Sequence, residues 1–342
     1  MIHQSTPKIA IVVPNWNGEQ ELPACLDSLR SQSMNSSIIV VENGSVDGSV
    51  ELLESEYPDV TLLKQPKNLG FAGGVNIGIR YALDHEFDYV ALFNNDAVAD
   101  KEWLKYLVNT LEKSPNTGIA TCKFLNIDGS SIDSTGDMYT VWGLPYPRGR
   151  GEKNNTIYNK DVYIFGASGG ATIYRSELLR KIGLFDEKFF AYYEDIDVSF
   201  RAQLSGWKVQ YVSTAIAYHR IGATSNKIRG FTTYQTMKNL PMLFWKNTPL
   251  RYTPIMFPRL FFAYWLMVLS AITKGNGMAA LKGNAMFLLY LPHVFSERKR
   301  IQRSKTVTDA YIWSIITHDL PPNATKLRAI RNKLWKLLRK SA

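Results

Sequence analysis

The chain has 342 residues, of which 45% are hydrophobic and 20% are charged, and this composition excludes a wholly disordered protein. Its two cysteines, Cys25 and Cys122, exclude a disulfide framework, and no Cys/His cluster indicates structural zinc. The first residues lack a basic stretch followed by an apolar run. We therefore expect no secretion signal and a catalytic part that stays in the cytoplasm.

The N-terminal two thirds of the chain are acidic, and the C-terminal third is basic. Residues 1–222 carry 20 Lys and Arg against 27 Asp and Glu, a net charge of −7. Residues 223–342 carry 20 against 3, a net charge of +17. The basic region is expected to face an anionic partner, which is nucleic acid, phospholipid or a phosphorylated substrate.

Residues 8–95 alternate short β-branched runs with helical patterns, which is typical of the α/β class with a mostly parallel sheet. Strands are predicted at 9–13, 37–41, 61–63 and 89–93, and helices at 19–32, 47–57 and 71–83. Polar clusters follow the strands, and they contain Asn15, Glu42, Asn68 and the run 94–96. Because open α/β sheets bind ligands at the carboxyl ends of their strands, we expect a binding site there.

The middle of the chain continues the sheet. Strands are predicted at 119–124, 163–165, 171–174 and 208–212, on either side of a long loop at 126–160. This loop is rich in Gly, Pro, Asn and Tyr. Its length is compatible with a substrate-covering or mobile element, and a plain surface insertion is the alternative.

Two segments have the residue types of a nucleotide site. Glu42 and Asp47 flank a turn and would accept hydrogen bonds from ribose hydroxyls or a base N–H, although Asp47 would equally serve as a helix N-cap. In the turn 68–76, Gly70 and Gly74 would let the backbone approach a ligand. This turn matches neither the dinucleotide fingerprint nor the phosphate loop.

A metal site is a second candidate. Asp96 follows the fourth predicted strand, where one carboxylate would hold a divalent cation together with ligand phosphates. His219 ends a later strand and would complete the site. A capping role for Asp96 and a purely structural role for His219 are the alternatives.

The densest group of carboxylates is Glu194, Asp195 and Asp197, at the start of a predicted helix. A helix N-terminus keeps a carboxylate ionised, which suits a base that takes a proton from a hydroxyl. Acidic capping of an amphipathic helix is the alternative interpretation.

The chain contains, in order, the motifs Val-Val-Pro-Asn-Trp-Asn-Gly, Glu-Asn-Gly-Ser-x-Asp-Gly-Ser, Asn-Leu-Gly-Phe-Ala-Gly-Gly, Asn-Asn-Asp, Gly-Ala-Ser-Gly-Gly-Ala and Tyr-Tyr-Glu-Asp-Ile-Asp-Val-Ser-x-Arg. This set resembles family 2 inverting glycosyltransferases with the GT-A fold, a Rossmann-like sheet flanked by helices. The resemblance covers about residues 8–225 and is strongest to the rhamnosyltransferase-like branch.

The resemblance implies a role for each matching residue. The nucleotide-sugar site would contain Pro14, Asn15, Glu42, Asp47, Asn68, Gly70, Gly74 and Asn95. Asp96 matches the last residue of the D-x-D motif that binds Mg²⁺ or Mn²⁺ against the donor diphosphate, and His219 matches a histidine serving the same metal. Asp195 matches the catalytic base, with Glu194 as its neighbour.

Two positions depart from the family pattern. Asn94 replaces the first Asp of D-x-D, which predicts a more weakly held metal. Glu42 stands where Asp is common, which predicts a nucleotide pocket that is shorter on that side by the length of a methylene group.

The resemblance implies transfer of a sugar to a hydroxyl of a glycan or polyprenyl-diphosphate-linked acceptor in cell-wall, O-antigen or other polysaccharide biosynthesis. L-rhamnose from its dTDP form is the preferred donor, and another sugar from a UDP or GDP donor is the alternative. A nucleotidyltransferase would need a basic phosphate-gripping motif near the first strand, which residues 15–18 lack. A nucleic-acid binder would interleave aromatic residues with Lys and Arg, so we expect no nucleic-acid partner.

A catalytic domain is expected over residues 1–235, with a nucleotide-binding half to about 117 and an acceptor half from about 118, followed by a helical region at 236–342. In that region the charge-free run 260–272 has 13 residues, short of the roughly 20 that cross a bilayer. Its aromatic residues, the basic cluster 298–300 and the amphipathic tail 326–340 favour peripheral binding to anionic lipid on the inner face of the cell membrane. Packing on the catalytic domain or on another subunit is the alternative, and the oligomeric state stays open.

Overall fold

The computed structural model describes residues 6–220 and 228–340. Its strands are β1 (Ile9–Asn15), β2 (Ser37–Glu42), β3 (Thr61–Lys64), β4 (Tyr89–Phe93), β5 (Ala97–Ala99), β6 (Thr117–Asn126), β7 (Ile132–Ser134), β8 (Asp137–Tyr139), β9 (Pro145–Pro147), β10 (Val162–Ile164), β11 (Ala171–Arg175) and β12 (Lys208–His219). Its helices are α1 (Leu22–Arg30), α2 (Ser49–Glu56), α3 (Gly70–Asp84), α4 (Trp103–Lys113), α5 (Ser176–Ile182), α6 (Glu194–Leu204), α7 (Phe231–Asn247), α8 (Thr253–Thr273), α9 (Gly277–Leu289), α10 (Leu291–Arg303), α11 (Asp309–Ile315) and α12 (Thr325–Lys340). The strands and helices predicted between residues 8 and 95 are all present.

Ten of the strands form one mixed sheet. Its order is β10-β12-β6-β11-β4-β1-β2-β3, with β5 paired to β12 and β7 to β6, while β8 and β9 form a separate pair. Strands β4, β1, β2 and β3 are parallel to one another, and β11 runs antiparallel to β4. The loop that enters β11 therefore lies beside the residues that leave β4, and this arrangement builds the candidate site.

Helices cover both faces of the sheet because side chains of a strand alternate between its faces. On β1, Ile9 and Ile11 face a cluster that contains α1 and α4, whereas Ala10 and Val12 face a cluster that contains α3 and α5. All four side chains are buried. The near-continuous apolar sequence of β1 follows from this two-sided burial.

The segment 126–160 differs from the expected irregular loop. It contains β7, β8 and β9, and the Tyr139 ring is fully buried against Phe165 and Phe200. The alternative of a plain surface insertion is therefore wrong for its central part, and a substrate-covering role stays a prediction. Strands of three residues have too few side chains to produce a visible alternation, which is why the sequence pattern missed them.

The expected boundary at residue 235 falls inside α7. The second half of this helix is buried, and Leu240 and Phe244 join a core cluster with Ile196 and Phe200 of α6. Helix α7 is therefore packed on α6, as the alternative interpretation of this region required. The domain division itself stays a prediction.

Helix α8 is longer than the charge-free run predicted, so the prediction that this region is too short to span a membrane is wrong. With the turn before it, the helix covers Leu250–Thr273, which is long and apolar enough to cross a membrane by length and composition. The charge-free run is only its last part, because the residues around Arg259 extend the helix toward the N-terminus. One such helix is weak support for a span, since helices in protein cores meet the same criteria.

Charged side chains are buried between α6 and α7. The Lys246 ammonium is completely buried, and it contacts the carboxylates of Asp186 and Asp197. Asp197 also accepts hydrogen bonds from Arg201 Nε at 2.9 Å and Asn247 Nδ2 at 2.8 Å. Lys246 and Arg201 hold the pKa of Asp197 below its usual value against the effect of burial. The second half of the Glu-Asp-x-Asp motif thus anchors α6 to α7.

Replacing Lys246 by Met should therefore be strongly destabilising, because it removes the buried cation that Asp186 and Asp197 share and leaves one basic partner, His293 or Arg201, for each carboxylate. We expect a loss of about 3–5 kcal/mol in the free energy of unfolding, measured by urea denaturation followed by circular dichroism. Arg80→Met, which breaks the exposed ion pair with Glu187, is the control and should cost at most about 1 kcal/mol. Equal losses in the two variants would contradict the role of the buried network.

Candidate active site

A chain of polar side chains connects the ends of β1, β2 and β4. Asn15 Nδ2 donates a hydrogen bond to Glu42 Oε2 at 2.6 Å, and Asn95 Nδ2 donates one to Asn15 Oδ1 at 2.7 Å. The Ser45 N–H donates to Glu42 Oε1 at 2.7 Å. Glu42 is buried and both of its oxygens are engaged. Its carboxylate therefore fixes the sheet edge, and Asn15 and Asn95 line it.

Asp47 lies in the turn that leads into α2. Its carboxylate accepts hydrogen bonds from Ser49 N and Oγ and from the Glu19 N–H. Burial acts in the opposite direction, but these hydrogen bonds lower the pKa of Asp47. The side chain thus stabilises the turn, and a contact with the nucleotide stays a prediction.

The glycine-rich turn packs against the rest of the protein. Gly70 has a φ of +75°, and a Cβ atom there would lie 2.4 Å from the carbonyl oxygen of Phe190. At Gly74 a Cβ atom would lie 3.1 Å from Asn43 Nδ2 and 3.6 Å from Pro14 Cβ. Asn68 Oδ1 accepts the Gly70 N–H at 2.7 Å. These glycines therefore allow close packing of the turn against Phe190, Asn43 and Pro14 of the same chain.

The structure brings the two predicted metal ligands together. His219 Nε2 lies 3.1 Å from Asp96 Oδ1, and His219 Nδ1 lies 2.9 Å from Asp133 Oδ2. The His219 ring stacks on Phe124 with a centroid distance of 4.7 Å. Burial opposes protonation of the imidazole, but Asp133 and Asp96 raise the pKa of His219 to about 9. Asp133 and Phe124 thus hold the ring with Nε2 directed at Asp96.

The residues present fit a divalent cation that a ligand helps to hold. Among the described residues, no group of three or more His, Cys, Asp and Glu side chains is arranged to bind a metal alone. Asp96 Oδ1 is nevertheless buried without a well-oriented hydrogen bond in the described part of the chain. A carboxylate oxygen beside a histidine nitrogen, with a second carboxylate behind the ring, is a common donor set for such an ion. Oxygen atoms of a bound diphosphate would have to complete the coordination of the ion.

Asp195 lies at the start of α6, next to the turn that precedes β11. Its Oδ2 accepts the Gly169 N–H at 3.2 Å and its Oδ1 accepts the Ile196 N–H at 2.8 Å. In the same turn the Gly170 carbonyl accepts the Asn94 N–H at 2.8 Å. The predicted base and the polar cluster that ends at Asp96 are thus linked through one turn.

Glu194 and Asp195 differ in surroundings. Glu194 is buried, and its Oε2 has no hydrogen-bond partner among the described residues. Burial and the neighbouring Asp195 raise the pKa of Glu194 well above its usual range. Burial also raises the pKa of Asp195, and its hydrogen bonds from the Gly169 and Ile196 N–H groups limit that rise. Asp195 is the more exposed member of the pair, and its two N–H partners favour the ionised form of its carboxyl group.

Three polar residues of the site, Asp133, Asp137 and Arg150, were not predicted from the sequence. Asp133 and Arg150 form an ion pair of 2.8 Å beside His219. Burial, with the Asp195 charge, raises the pKa of Asp137 to about 8, whereas Arg150 acts to lower it. All three residues lie in the segment 126–160. The length of that segment was a signal, but only the fold shows which of its side chains reach the site.

Solved structures show which fold the chain has. The chain aligns with the structure of GalNAc-T7 with UDP, GalNAc and Mn²⁺ at a TM-score of 0.57 and 15% identity, over 71% of this chain and 48% of that one. It aligns with the mannosyltransferase PcManGT of Pyrobaculum calidifontis, bound to GDP-Man and Mn²⁺, at a TM-score of 0.53 and 17% identity, over 91% and 86%. The fold is GT-A, as the motifs implied, with an added C-terminal helical region.

The chain belongs to glycosyl transferase family 2, whose model matches residues 10–183. It is 26% identical over 217 residues to the low-salt glycan biosynthesis hexosyltransferase Agl10 of Haloferax volcanii, covering 62% of this chain and 66% of that protein. It is 26% identical over 208 residues to the N-acetylglucosaminyl-diphospho-decaprenol L-rhamnosyltransferase of Mycobacterium tuberculosis H37Rv, covering 55% and 68%. The chain thus spans about two thirds of these relatives. Asp195 and His219 lie outside the family match.

Proposed function

We propose that this glycosyltransferase moves a sugar, with inversion, from a nucleoside-diphosphate donor to a hydroxyl of a glycan or polyprenyl-diphosphate-linked acceptor. One observation supports this most directly: the Asp195 carboxyl group adjoins the turn that also holds the end of β4. A base on one side and a diphosphate site on the other are what an inverting transfer needs. The Mycobacterium tuberculosis relative supports an acceptor of this kind by its name.

The reaction needs one proton acceptor from the protein. The acceptor oxygen attacks the anomeric carbon and forms the new C–O bond, while the bond from that carbon to the diphosphate oxygen breaks and its electron pair leaves with the diphosphate. Asp195 takes the hydroxyl proton as the oxygen attacks. Glu194 is more buried than Asp195, so its carboxyl group is less accessible to an acceptor hydroxyl. Holding both substrates in line supplies further acceleration.

Asp195→Asn should abolish transfer and leave donor binding intact, because the amide keeps the shape of the side chain but takes up no proton. A general base typically contributes about 10²- to 10⁴-fold, so we expect a loss of that order in kcat. Turnover is measured with radiolabelled sugar, and nucleotide affinity by calorimetry. The control is Asp128→Asn, which makes the same change at an exposed position. Asp197→Asn is unsuitable as a control, because Asp197 belongs to the buried ion-pair network. Near-normal turnover of Asp195→Asn would reject the assignment.

Asp96 and His219 are the residues that would hold Mg²⁺ or Mn²⁺, and the Mn²⁺ in both solved relatives supports this. When bound, the ion would neutralise charge on the departing diphosphate as a Lewis acid. Asp133 orients the His219 ring through Nδ1, which leaves Nε2 toward Asp96. Asn94 contributes no charge, so the donor diphosphate has to supply more of the coordination.

The donor and the metal are tested together by thermal shift. dTDP-rhamnose is the preferred donor, because one relative is a rhamnosyltransferase, and UDP- and GDP-sugars are the alternatives. We expect dTDP-rhamnose to raise the melting temperature of the wild type only with Mn²⁺ or Mg²⁺ present, and EDTA to remove the rise. Asp96→Asn should lose the metal-dependent part, whereas Asn94→Asp, which restores D-x-D, should need less metal. A shift that survives both EDTA and Asp96→Asn would exclude a metal at this position.

The C-terminal helices are proposed to bind the cytoplasmic surface of the cell membrane. Helix α8 exposes an apolar stripe with successive members three or four residues apart, which consists of Phe257, Phe261, Trp265, Leu269 and Ile272. Exposed apolar side chains on α9 and α10 are Met278, Leu281, Leu288, Leu289 and Phe295. Lys274 and Lys282 are exposed near these side chains in the chain. Apolar side chains flanked by cations suit an anionic lipid surface.

The basic cluster 298–300 contributes less than its sequence indicates. Arg298 donates hydrogen bonds to the carbonyls of Trp245 and Thr248, and Arg300 pairs with Glu297. The membrane proposal therefore rests on the apolar stripe, with Lys274, Lys282 and Lys299 as accessory charges.

Vesicle flotation with the full chain tests this proposal. We expect the wild type to float with phosphatidylglycerol vesicles at low salt and less with neutral phosphatidylcholine vesicles. The triple variant Phe261→Ser, Trp265→Ser, Leu269→Ser should lose most of this binding, since each change removes about 1.5–3 kcal/mol of apolar transfer. Ile127→Ser with Ile157→Ser, which removes exposed apolar side chains elsewhere, is the matched control. Unchanged flotation of the triple variant would reject the proposal.

A further inference from the structure

The segment that precedes the catalytic helix has an unusual backbone. Phe190, Tyr192 and Tyr193 have φ angles of 64°, 70° and 72°, in the left-handed region that bulky residues rarely adopt. Tyr193 directly precedes Glu194 and Asp195. Such a conformation persists only where surrounding contacts impose it. The contacts of residues 188–193 therefore constrain the position of Asp195.

One side chain of α7 contacts three carbonyl groups of this segment. Asn239 Nδ2 lies 2.9 Å from the carbonyl oxygen of Phe189, 2.8 Å from that of Ala191 and 2.8 Å from that of Tyr192. Asn239 is completely buried. Its neighbour Lys238 donates to the carbonyl of Phe189 at 3.2 Å, which strengthens the same attachment.

Helix α7 is itself held in place at this point. Gly283 of α9 packs so closely that a Cβ atom would lie 2.5 Å from the carbonyl oxygen of Tyr234. The Tyr264 hydroxyl oxygen of α8 lies 2.8 Å from the Met237 carbonyl oxygen and 2.7 Å from Asn284 Oδ1, and its single proton is shared between these two acceptors. Helices α8 and α9 therefore fix the part of α7 that carries Asn239.

The opposite side of the segment meets the donor half of the site. The Phe190 carbonyl accepts the Ala72 N–H of α3 at 3.1 Å, and its ring lies against Gly70. The segment thus lies between the glycine-rich turn and Asp195, and a shift in it would move the base relative to the donor.

We propose that Asn239 is a positioning residue for the base. Its amide binds the carbonyls of residues 189, 191 and 192 and so holds the segment, with Phe190, Tyr192 and Tyr193 left-handed, in the form that places Asp195 against Gly169. Asn239 itself lies outside the family match and far from the motifs in sequence. Its effect on transfer rests on the function proposed above, whereas its effect on the backbone does not.

Kinetics and hydrogen exchange test this role. Asn239→Ala should lower kcat by about 10²-fold, the effect of a displacement of about 1 Å, and leave nucleotide affinity unchanged. Amide exchange in residues 189–194 should become faster. The control is Gln32→Ala, which removes an amide that donates to the carbonyls of Ser28 at 3.0 Å and Asp100 at 2.9 Å and contacts neither α7 nor the segment. It should change neither kcat nor exchange in 189–194.

A second variant separates positioning from general destabilisation. Glycine adopts a φ of 70° without steric cost, so Tyr192→Gly needs less external restraint. Asn239→Ala should therefore reduce kcat by a smaller factor in the Tyr192→Gly background than in the wild type. Equal factors, or unchanged exchange in 189–194, would overturn the proposal. If the wild type transferred no sugar, the proposed function would fail, and exchange alone would still decide the role of Asn239.

Discussion

The turn at Gly169 and Gly170 is the constraint on which the site depends. One of its N–H groups holds the Asp195 carboxylate, and one of its carbonyls holds the backbone of Asn94. The turn has this position because β11 runs antiparallel to β4, so its entrance lies at the carboxyl end of the parallel strands. A side chain has little room at Gly170, where a Cβ atom would lie 2.9 Å from Asn94 Nδ2. The sheet topology thus brings two distant motifs together.

Much of the fold and the motif positions could be predicted from the sequence. The parallel strands have five or more consecutive apolar residues or clear helical neighbours, and their polar ends marked the sheet edge correctly. The short strands β7 to β9 could not be predicted, because three residues show no period. Asp133, Asp137 and Arg150 were missed for a related reason: their proximity to His219 and Asp195 is a property of chain packing.

Charge in the sequence was a poorer guide than apolar pattern. Glu42 was expected to accept hydrogen bonds from a nucleotide; its two oxygens accept hydrogen bonds from Asn15 and the Ser45 N–H, and a contact with a nucleotide stays a prediction. Arg298 and Arg300 formed a basic cluster in the sequence, yet they bind carbonyl groups and Glu297. Polar side chains reach several partners from one backbone position, so their direction depends on the neighbours that the fold supplies. Apolar side chains have fewer choices, because burial alone decides their face.

The continuity of α7 across the expected domain boundary matters for comparing and recombining relatives. Helix α7 begins at Phe231, and its buried Asn239 amide and Lys246 ammonium contact the loop before α6 and α6 itself, which carries the proposed base. A chimera with its junction at residue 235 would combine the loop of one protein with the supporting helix of another. Interchangeable modules therefore have to be cut before Phe231, and the helices beyond that point have to be inherited together with the loop that they support.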